Sequence, residues 1–115
     1  MIRKADECKV EIREHMRDGD GQVQIRHFVD SGELYEKGRL FARLTLEPGC
    51  SIGFHVHEKD SEIFYFISGR GEYDDNGVKK EVHAGDIAIC PAGTGHGVRN
   101  IGEDTLSIVA LIVYA

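Results

Sequence analysis

Four side chains that can ligate a metal ion lie in two short segments of the sequence: His55, His57, Glu62 and His96. One residue separates His55 from His57, and alternate side chains of a β-strand project from the same face. If this segment is a strand, both imidazoles point towards one interior site. Phe54 and Val56 then face the opposite side. The spacing therefore predicts two nitrogen ligands that converge on a single point.

The carboxylate of this set belongs to Glu62, which follows a polar turn and begins an apolar run, residues 63–67. Antiparallel pairing of that run with the histidine segment would return the carboxylate to the two imidazoles. Parity would then place Phe64 and Phe66 on the side of Glu62, as an apolar wall that strengthens metal coordination. His96 opens a later strand after a glycine-rich turn, and closure of a barrel would bring it to the same site.

Three imidazoles and one carboxylate form a borderline-hard ligand set that suits one divalent transition metal ion, Mn, Fe, Co, Ni or Zn. An octahedral ion with four protein ligands keeps two open positions. A small substrate could chelate there through a carboxylate and a neighbouring oxygen atom. The sequence does not select one of these metals.

The rest of the chain is typical of many short strands, since fourteen glycines and two prolines interrupt apolar or alternating runs. The predicted strands are Val23 to Phe28, Leu40 to Leu46, Gly53 to His57, Ile63 to Ile67, Val78 to Val82, Asp86 to Cys90, His96 to Asn100 and Leu106 to Tyr114. Asp75-Asn76-Gly77 predicts a tight hairpin turn. The charged segment Asp6 to Met16 fits either a helix or an edge strand, and the strand is favoured. About eight strands without crossover helices indicate a sandwich or a closed barrel.

The two ligand segments resemble the conserved motifs of the cupin family. The first reads Gly49-x5-His55-x-His57-x4-Glu62-x6-Gly69, and the second reads Gly85-x5-Pro91-x-Gly93-x2-His96-x3-Asn100. Fifteen residues separate them, which resembles the short spacer of small microbial cupins, and the single-domain layout resembles the small cupins often labelled oxalate-decarboxylase-like. Together the motifs and spacer cover residues 49–100, a little under half of the chain.

This resemblance implies an all-β fold, the double-stranded β-helix or jelly-roll cupin barrel. It also implies a set of four metal ligands inside the barrel: His55, His57, Glu62 and His96. We expect residues 1–115 to form a single cupin domain, in which residues 1–22 are an N-terminal strand or arm and residues 23–115 are the barrel.

Composition limits the partners of this chain. The formal charge of −6, with basic residues scattered among acids, argues against a nucleic-acid partner. No window approaches the length of an apolar membrane span, and the N-terminal ten residues are charged where a signal peptide would be apolar. We therefore expect a cytoplasmic protein with no membrane partner. The three cysteines, Cys8, Cys50 and Cys90, have no paired spacing and are expected to be reduced thiols.

Other polar residues give weaker signals. His15, His27 and His83 have no partner at ligand spacing, so we interpret them as surface or rim histidines. Four residues could each reach a pocket and recognise a carboxylate: Arg26, Tyr65, Arg99 and Tyr114. Alternation places Tyr65 away from Glu62.

Three classes of function are compatible with these residues. The first is a metal-dependent enzyme of decarboxylase, oxygenase or isomerase type that acts on a small carboxylate or sugar-like metabolite. The second is a module that binds or senses a small molecule without transforming it. A purely structural barrel is the third, and it has little use for four aligned ligands. In each case we expect a homodimer formed through an N-terminal or edge strand, which would otherwise expose unpaired backbone groups.

Overall fold

A computed structural model describes residues 1–30 and 32–115 of the chain. These residues form ten strands: β1 (Val10–Glu14), β2 (Gln22–His27), β3 (Gly38–Leu46), β4 (Ser51–His57), β5 (Asp60–Ser68), β6 (Arg70–Asp75), β7 (Val78–His83), β8 (Ile87–Cys90), β9 (Thr94–Asn100) and β10 (Leu106–Tyr114). Two single-turn 3₁₀ helices, Ala5–Glu7 and Met16–Asp18, flank β1.

The strands form two antiparallel sheets that face each other as a jelly-roll barrel. One sheet has the order β1-β2-β3-β10-β5-β8, and the other has the order β4-β9-β6-β7. Alternate residues of each strand point inward, and the fully buried side chains include Phe66, Leu46, Leu106 and Ile108. The apolar core fills the lower part of the barrel and supports the ligand cluster above it.

All eight strands predicted from the sequence are present, and the segment that fitted either a helix or an edge strand contains edge strand β1. The hairpin turn is also confirmed: Asp75 pairs with Val78, and Asn76 and Gly77 both have positive φ. The strand list omitted β6, because most of its residues are polar. Only Gly71 and Tyr73 of this strand are buried.

The expected pairing of the Glu62 strand with the histidine strand is wrong. β4 pairs with β9 in one sheet, whereas β5 pairs with β10 and β8 in the other. In a jelly roll the chain crosses between the two sheets, so neighbouring strands can face each other across the barrel instead of pairing. Glu62 therefore reaches the histidines from the opposite sheet.

Strand β1 directs its charged side chains inward and its apolar side chains outward, which is the reverse of the usual pattern. Glu11 pairs with Ile25 and Arg13 with Val23, so these two charged side chains share the inward face of β2. Val10 and Ile12 point outward and are about half exposed. The arm therefore adds charged groups to the inside of the barrel mouth; the division at residue 22 stays a prediction.

Candidate metal centre

His55 and His96 are brought together by direct strand pairing. They are opposite partners in β4 and β9, and side chains in such positions share one face of the sheet. The register of β4 shifts between Ile52 and His55, so β4 contains one extra residue there. This bulge lets Ile52 and the two histidines all face the interior, although Ile52 and His55 are an odd number of positions apart.

Three ligand atoms form a nearly equilateral triangle. The Nε2 atom of His57 lies 3.1 Å from Nε2 of His96 and 3.1 Å from Oε1 of Glu62. The His96 and Glu62 atoms are 3.0 Å apart. His55 completes the group, and one ligand atom from each of the four residues lies within 4.8 Å of the others. The structure thus assembles all four residues expected from the sequence.

The triangle fits a transition metal ion. Two ligand atoms at right angles, each about 2.1 Å from an octahedral ion, are about 3.0 Å apart, whereas tetrahedral ligands at that bond length are about 3.4 Å apart. Two imidazole lone pairs and a carboxylate this close would repel one another without a proton or a cation between them. The cluster could therefore hold one metal ion.

Each imidazole is oriented by a hydrogen bond at its other ring nitrogen. In the tautomers that leave Nε2 free, the Nδ1–H group of His55 donates to the Gly53 carbonyl at 2.8 Å. That of His57 donates to Asp60 at 2.6 Å, and that of His96 to the Tyr73 hydroxyl at 2.9 Å. Such partners fix ring orientation and raise the basicity of the ligand nitrogen. All three rings are thereby set to offer Nε2 to one point.

Electrostatics at the centre follow from burial. Desolvation lowers the pKa of His55 to about 4, and the positive charge of Arg17 adds to this effect. Burial opposes ionisation of Glu62, but hydrogen bonds from His57 and His96 outweigh it and lower the pKa of the carboxyl. The Glu62 hydrogen bond in turn raises the pKa of His57. In the metal-free protein the cluster thus holds an ionised carboxylate beside a neutral His55.

An apolar wall surrounds the donor atoms, as the sequence predicted. The ring of Phe64 stacks on His96 with their centroids 5.0 Å apart, and Phe66 lies beneath. Tyr65 points outward and is half exposed, which confirms the expected parity of β5. Phe54 and Val56 are likewise on the outer face of β4.

The cluster opens onto a chamber of about 130 Å³ at one end of the barrel. Its wall is apolar near the ligands and carries three arginines: Arg13, Arg17 and Arg39. A wider vestibule of about 580 Å³ lies outside and shares His27, Arg39 and Leu40 with the chamber. A small molecule can therefore approach the arginines and the ligand atoms through a vestibule that carries both acidic and basic side chains.

Arg17 is placed by a compact turn against β4. His15, Arg17 and Asp18 all have positive φ, and the carbonyl oxygen of Arg17 lies where a Cβ atom on Gly53 would be. Glycine at position 53 is therefore required for this contact. Within residues 1–30 and 32–115, Arg17 forms no ion pair, whereas Arg13 pairs with Glu11 and Arg39 with Asp60.

Most other residues considered from the sequence lie outside the chamber. Arg26 is on the outer face of β2, and Arg99 forms an ion pair with Asp20 on the outer side of the other sheet. Tyr114 lines the vestibule only. His27 is at the rim, as expected, but it also has a partner, because its Nε2 lies 2.6 Å from Glu11.

The remaining histidines and cysteines supply no atom to the cluster, although Cys90 is the cross-strand partner of Glu62. His15 and His83 are exposed; His15 contacts the Gly19 carbonyl, and His83 forms an ion pair with Glu81. Cys90 is buried, whereas Cys50 is half-buried beside Gly21. Neither cysteine belongs to the group of four ligands.

Several residues of the site were not found from the sequence: Asp60, Tyr73, Arg13, Arg17 and Arg39. A carboxylate three residues after a ligand histidine was a usable signal for Asp60. The others have none in the sequence, because their approach depends on strand register, on a β-bulge and on the turn at residues 15–19.

Comparison with known proteins agrees with this geometry. Residues 42–114 match the family model for the cupin domain. The oxalate-binding protein of Thermotoga maritima is 36% identical over 113 residues, which cover 98% of this chain and 93% of that protein. The crystal structure of a predicted oxalate decarboxylase from Thermotoga maritima superposes with a TM-score of 0.95 at 36% identity, covering 100% of both chains.

A longer relative matches only in part. The oxalate decarboxylase of Bacillus subtilis is 34% identical over 70 residues, 56% of this chain and 18% of that protein. The extent of the family match and of the Thermotoga match shows that the chain belongs to the cupin family. Within the part that the structure describes, no helix has the length and apolar character needed to cross a membrane.

Proposed function

We propose that this cupin is a metal-dependent enzyme that acts on a small carboxylate of about the size of oxalate, by decarboxylation or oxygenation. The supporting observation is the buried triangle of ligand atoms that opens onto a small chamber with three arginines in its wall. The proposed ligands of one Mn, Fe, Co, Ni or Zn ion are His55, His57, Glu62 and His96. A cytoplasmic homodimer is part of the proposal.

The size of the chamber favours a carboxylate over a sugar. A cavity of about 150 Å³ in another protein binds benzene, with roughly six non-hydrogen atoms. The chamber here, at about 130 Å³, is slightly smaller. Oxalate has about six non-hydrogen atoms, whereas a hexose has roughly twice as many and would extend into the vestibule. The names of two relatives refer to oxalate.

Charge favours the same ligand. Arginine offers a planar fork that matches a carboxylate, and three arginines line the chamber. Of the three chamber arginines, Arg17 is the one without an ion pair within residues 1–30 and 32–115. A metal ion bound by the cluster would supply a Lewis acid to stabilise negative charge on the carboxylate. The protein would orient the ligand between Arg17 and the donor atoms and exclude bulk water with Phe64.

Turnover also needs a group that moves a proton. Decarboxylation of oxalate takes up one proton and yields formate and carbon dioxide. Of the chamber residues that the structure describes, His27 is the titratable side chain outside the ligand set that is not an arginine. Its Nε2 lies 2.6 Å from Glu11, which orients the ring at the chamber wall, so we assign the proton transfer to His27.

The direct test is to load purified protein with Mn(II) and follow ¹³C-oxalate by NMR, with and without dioxygen. We expect close to one metal ion per chain and loss of oxalate with formation of formate and carbon dioxide. Glu62→Gln should lose metal and turnover, while Glu81→Gln, an exposed carboxylate, should keep both. A metal-loaded protein that leaves a broad panel of small carboxylates unchanged would contradict the enzyme assignment.

A second candidate is a non-catalytic oxalate-binding module, favoured by the name of the Thermotoga relative. His27→Gln separates the two functions. An enzyme should lose at least tenfold in turnover while its affinity for oxalate changes less than threefold, since general acid–base groups contribute about 10²–10⁴. A binding module should raise its melting temperature with oxalate and release the ligand unchanged.

A further inference from the structure

Arg39 owes its orientation to a β-bulge. In the pairing of β3 with β10, Ile112 is opposite Leu40 and Val113 is opposite Gly38, so Arg39 has no partner on β10. An extra residue of this kind breaks the alternation and redirects its side chain. A Cβ atom on Gly38 would meet the carbonyl oxygen of Ile112, so glycine is needed beside the bulge. The side chain of Arg39 consequently lines both the chamber and the vestibule.

A chain of hydrogen bonds connects Arg39 to the ligand cluster. Its Nε donates to Oδ2 of Asp60 at 2.7 Å, and Oδ1 of Asp60 accepts from Nδ1 of His57 at 2.6 Å. Asp60 and His57 are both buried. Asp60 thus uses one oxygen atom for each neighbour.

The outer edge of Arg39 is available for a ligand. Within residues 1–30 and 32–115, its two Nη groups have no protein partner, and the side chain is 43% exposed. Those two groups form the flat edge of the guanidinium that binds carboxylates in a bidentate manner. One edge can therefore bind an anion while Nε holds Asp60.

We infer that Arg39 is a positioning residue that couples the binding of a small carboxylate at the chamber mouth to the affinity of His57 and its cluster for metal. The inference rests on the proposed function, because it requires both a metal ion and a carboxylate ligand. A carboxylate on the Nη edge orders the guanidinium, which fixes Asp60 and therefore the ring of His57. By linkage, metal bound to His57 must raise carboxylate affinity by the same factor.

The test measures Mn(II) affinity by EPR titration with and without saturating oxalate. The variants are Arg39→Gln, Arg39→Lys and Asp60→Asn, and the matched control is Arg26→Gln, which removes an arginine from the outer face of the neighbouring strand. Chelation of Mn(II) by free oxalate is measured without protein and is corrected for in every titration that contains oxalate, so that only binding of Mn(II) to the protein is compared. Circular dichroism and melting temperatures identify any variant that fails to fold.

We expect Asp60→Asn and Arg39→Gln to weaken Mn(II) binding about tenfold or more, as is usual for partners of ligand histidines. In the wild-type protein oxalate should tighten Mn(II) binding at least about fivefold. Both Arg39 variants should reduce that factor to less than about twofold, because lysine keeps the charge but lacks the fork. Arg26→Gln should match the wild type.

Two results would overturn the inference in different ways. If the wild-type protein binds Mn(II) and oxalate, and Arg39→Gln and Arg39→Lys behave like Arg26→Gln, then Arg39 has no positioning role and the proposed function is unaffected. If the wild-type protein fails to bind Mn(II) or oxalate, then both the proposed function and the coupling fail.

Discussion

The ligand cluster depends on the orientation of three individual imidazole rings. Each ring uses Nδ1 for a hydrogen bond to a carbonyl, a carboxylate or a hydroxyl group, and this leaves Nε2 for the shared site. His55 is the least buried of the three rings: it is half-buried, whereas His57 and His96 are buried. Loss of any one ring would remove one proposed ligand. Replacement of the buried His57 or His96 would also leave a cavity, whereas His55 is only half-buried.

The first prediction concerns this ring. His55→Ala should lower the metal content from close to one ion per chain to less than about a tenth, because three ligands on a wet site bind far more weakly than four. Mass spectrometry with inductively coupled plasma gives the content. The control variant His83→Ala removes an exposed histidine and should keep the metal content of the wild-type protein. Full metal content in His55→Ala would exclude His55 as a ligand.

The second prediction concerns the pH dependence of the metal-free protein. His55 has a folded pKa of about 4, below its ordinary value of 6.5, so its neutral form is favoured by folding. This contribution is present above pH 6.5 and is lost as the pH falls through about 4. Between pH about 7 and about 5, the wild-type protein should therefore lose more free energy of unfolding than His55→Gln.

Urea unfolding in the presence of a chelator measures this difference. His83→Gln is the control and should follow the wild type. The contribution of His57 has the opposite sign, since its pKa is raised, but it is common to all three proteins. Equal pH dependence of wild type and His55→Gln would show that burial does not depress the His55 pKa.

Strand irregularities position the site at the scale of elements. The bulge in β4 turns His55 and His57 inward together with Ile52, and the bulge in β3 turns Arg39 towards the mouth. The turn at residues 15–19 packs so closely on β4 that neither of the two facing glycines, Gly19 and Gly53, has room for a Cβ atom. The position of Arg17 at the chamber thus depends on close backbone contacts between this turn and β4.

The third prediction tests this contact. Gly53→Ala would push its methyl group into the Arg17 carbonyl and should destabilise the protein by about 1–3 kcal/mol, as overpacking usually does. Displacement of Arg17 should also weaken oxalate binding by the metal-loaded protein. Urea unfolding and calorimetric titration measure the two effects.

Gly102→Ala is the matched control, because its Cβ atom would make only ordinary contacts, the nearest at 3.4 Å, and φ is not positive there. Its effect on the free energy of unfolding should stay within about 0.5 kcal/mol. If Gly53→Ala changes the free energy of unfolding no more than Gly102→Ala does, then the turn can move away from β4 without loss of stability.

At the scale of the whole molecule, the two sheets combine groups that are far apart in the sequence. His55, His57 and His96 come from one sheet, and Glu62 comes from the other. The edges of the barrel remain open, and edge strand β1 exposes the apolar side chains of Val10 and Ile12. Such an edge is a ready surface for pairing with another chain.

The fourth prediction is that the proposed homodimer forms through β1. Ile12→Lys should convert the dimer to a monomer, because a lysine on this face would be buried without a partner. Val78→Lys, on the edge strand β7 of the other sheet, changes a similarly exposed residue and should remain dimeric. Size-exclusion chromatography with light scattering gives the mass. A monomeric wild-type protein, or a dimeric Ile12→Lys variant, would contradict the prediction.

The sequence by itself determined the strand-rich fold and the four ligand candidates. Period-two alternation decides which face of a strand a residue joins, and this local rule correctly placed Phe64, Phe66 and Tyr65. Motif spacing added His96, and it also identified the cupin barrel. These properties depend on residues close in the chain or on a pattern shared by a whole family.

Only the tertiary structure decided which groups surround the ligands. The sequence led to the wrong partner for β5, because pairing across a jelly roll follows the path of the chain between sheets and not its order. It gave no sign of Arg39 beside Asp60, since a bulge shifts the alternation by one residue, or of Arg17, which reaches the mouth through a glycine contact. These positions are set by register and backbone packing, which involve residues distant in the sequence.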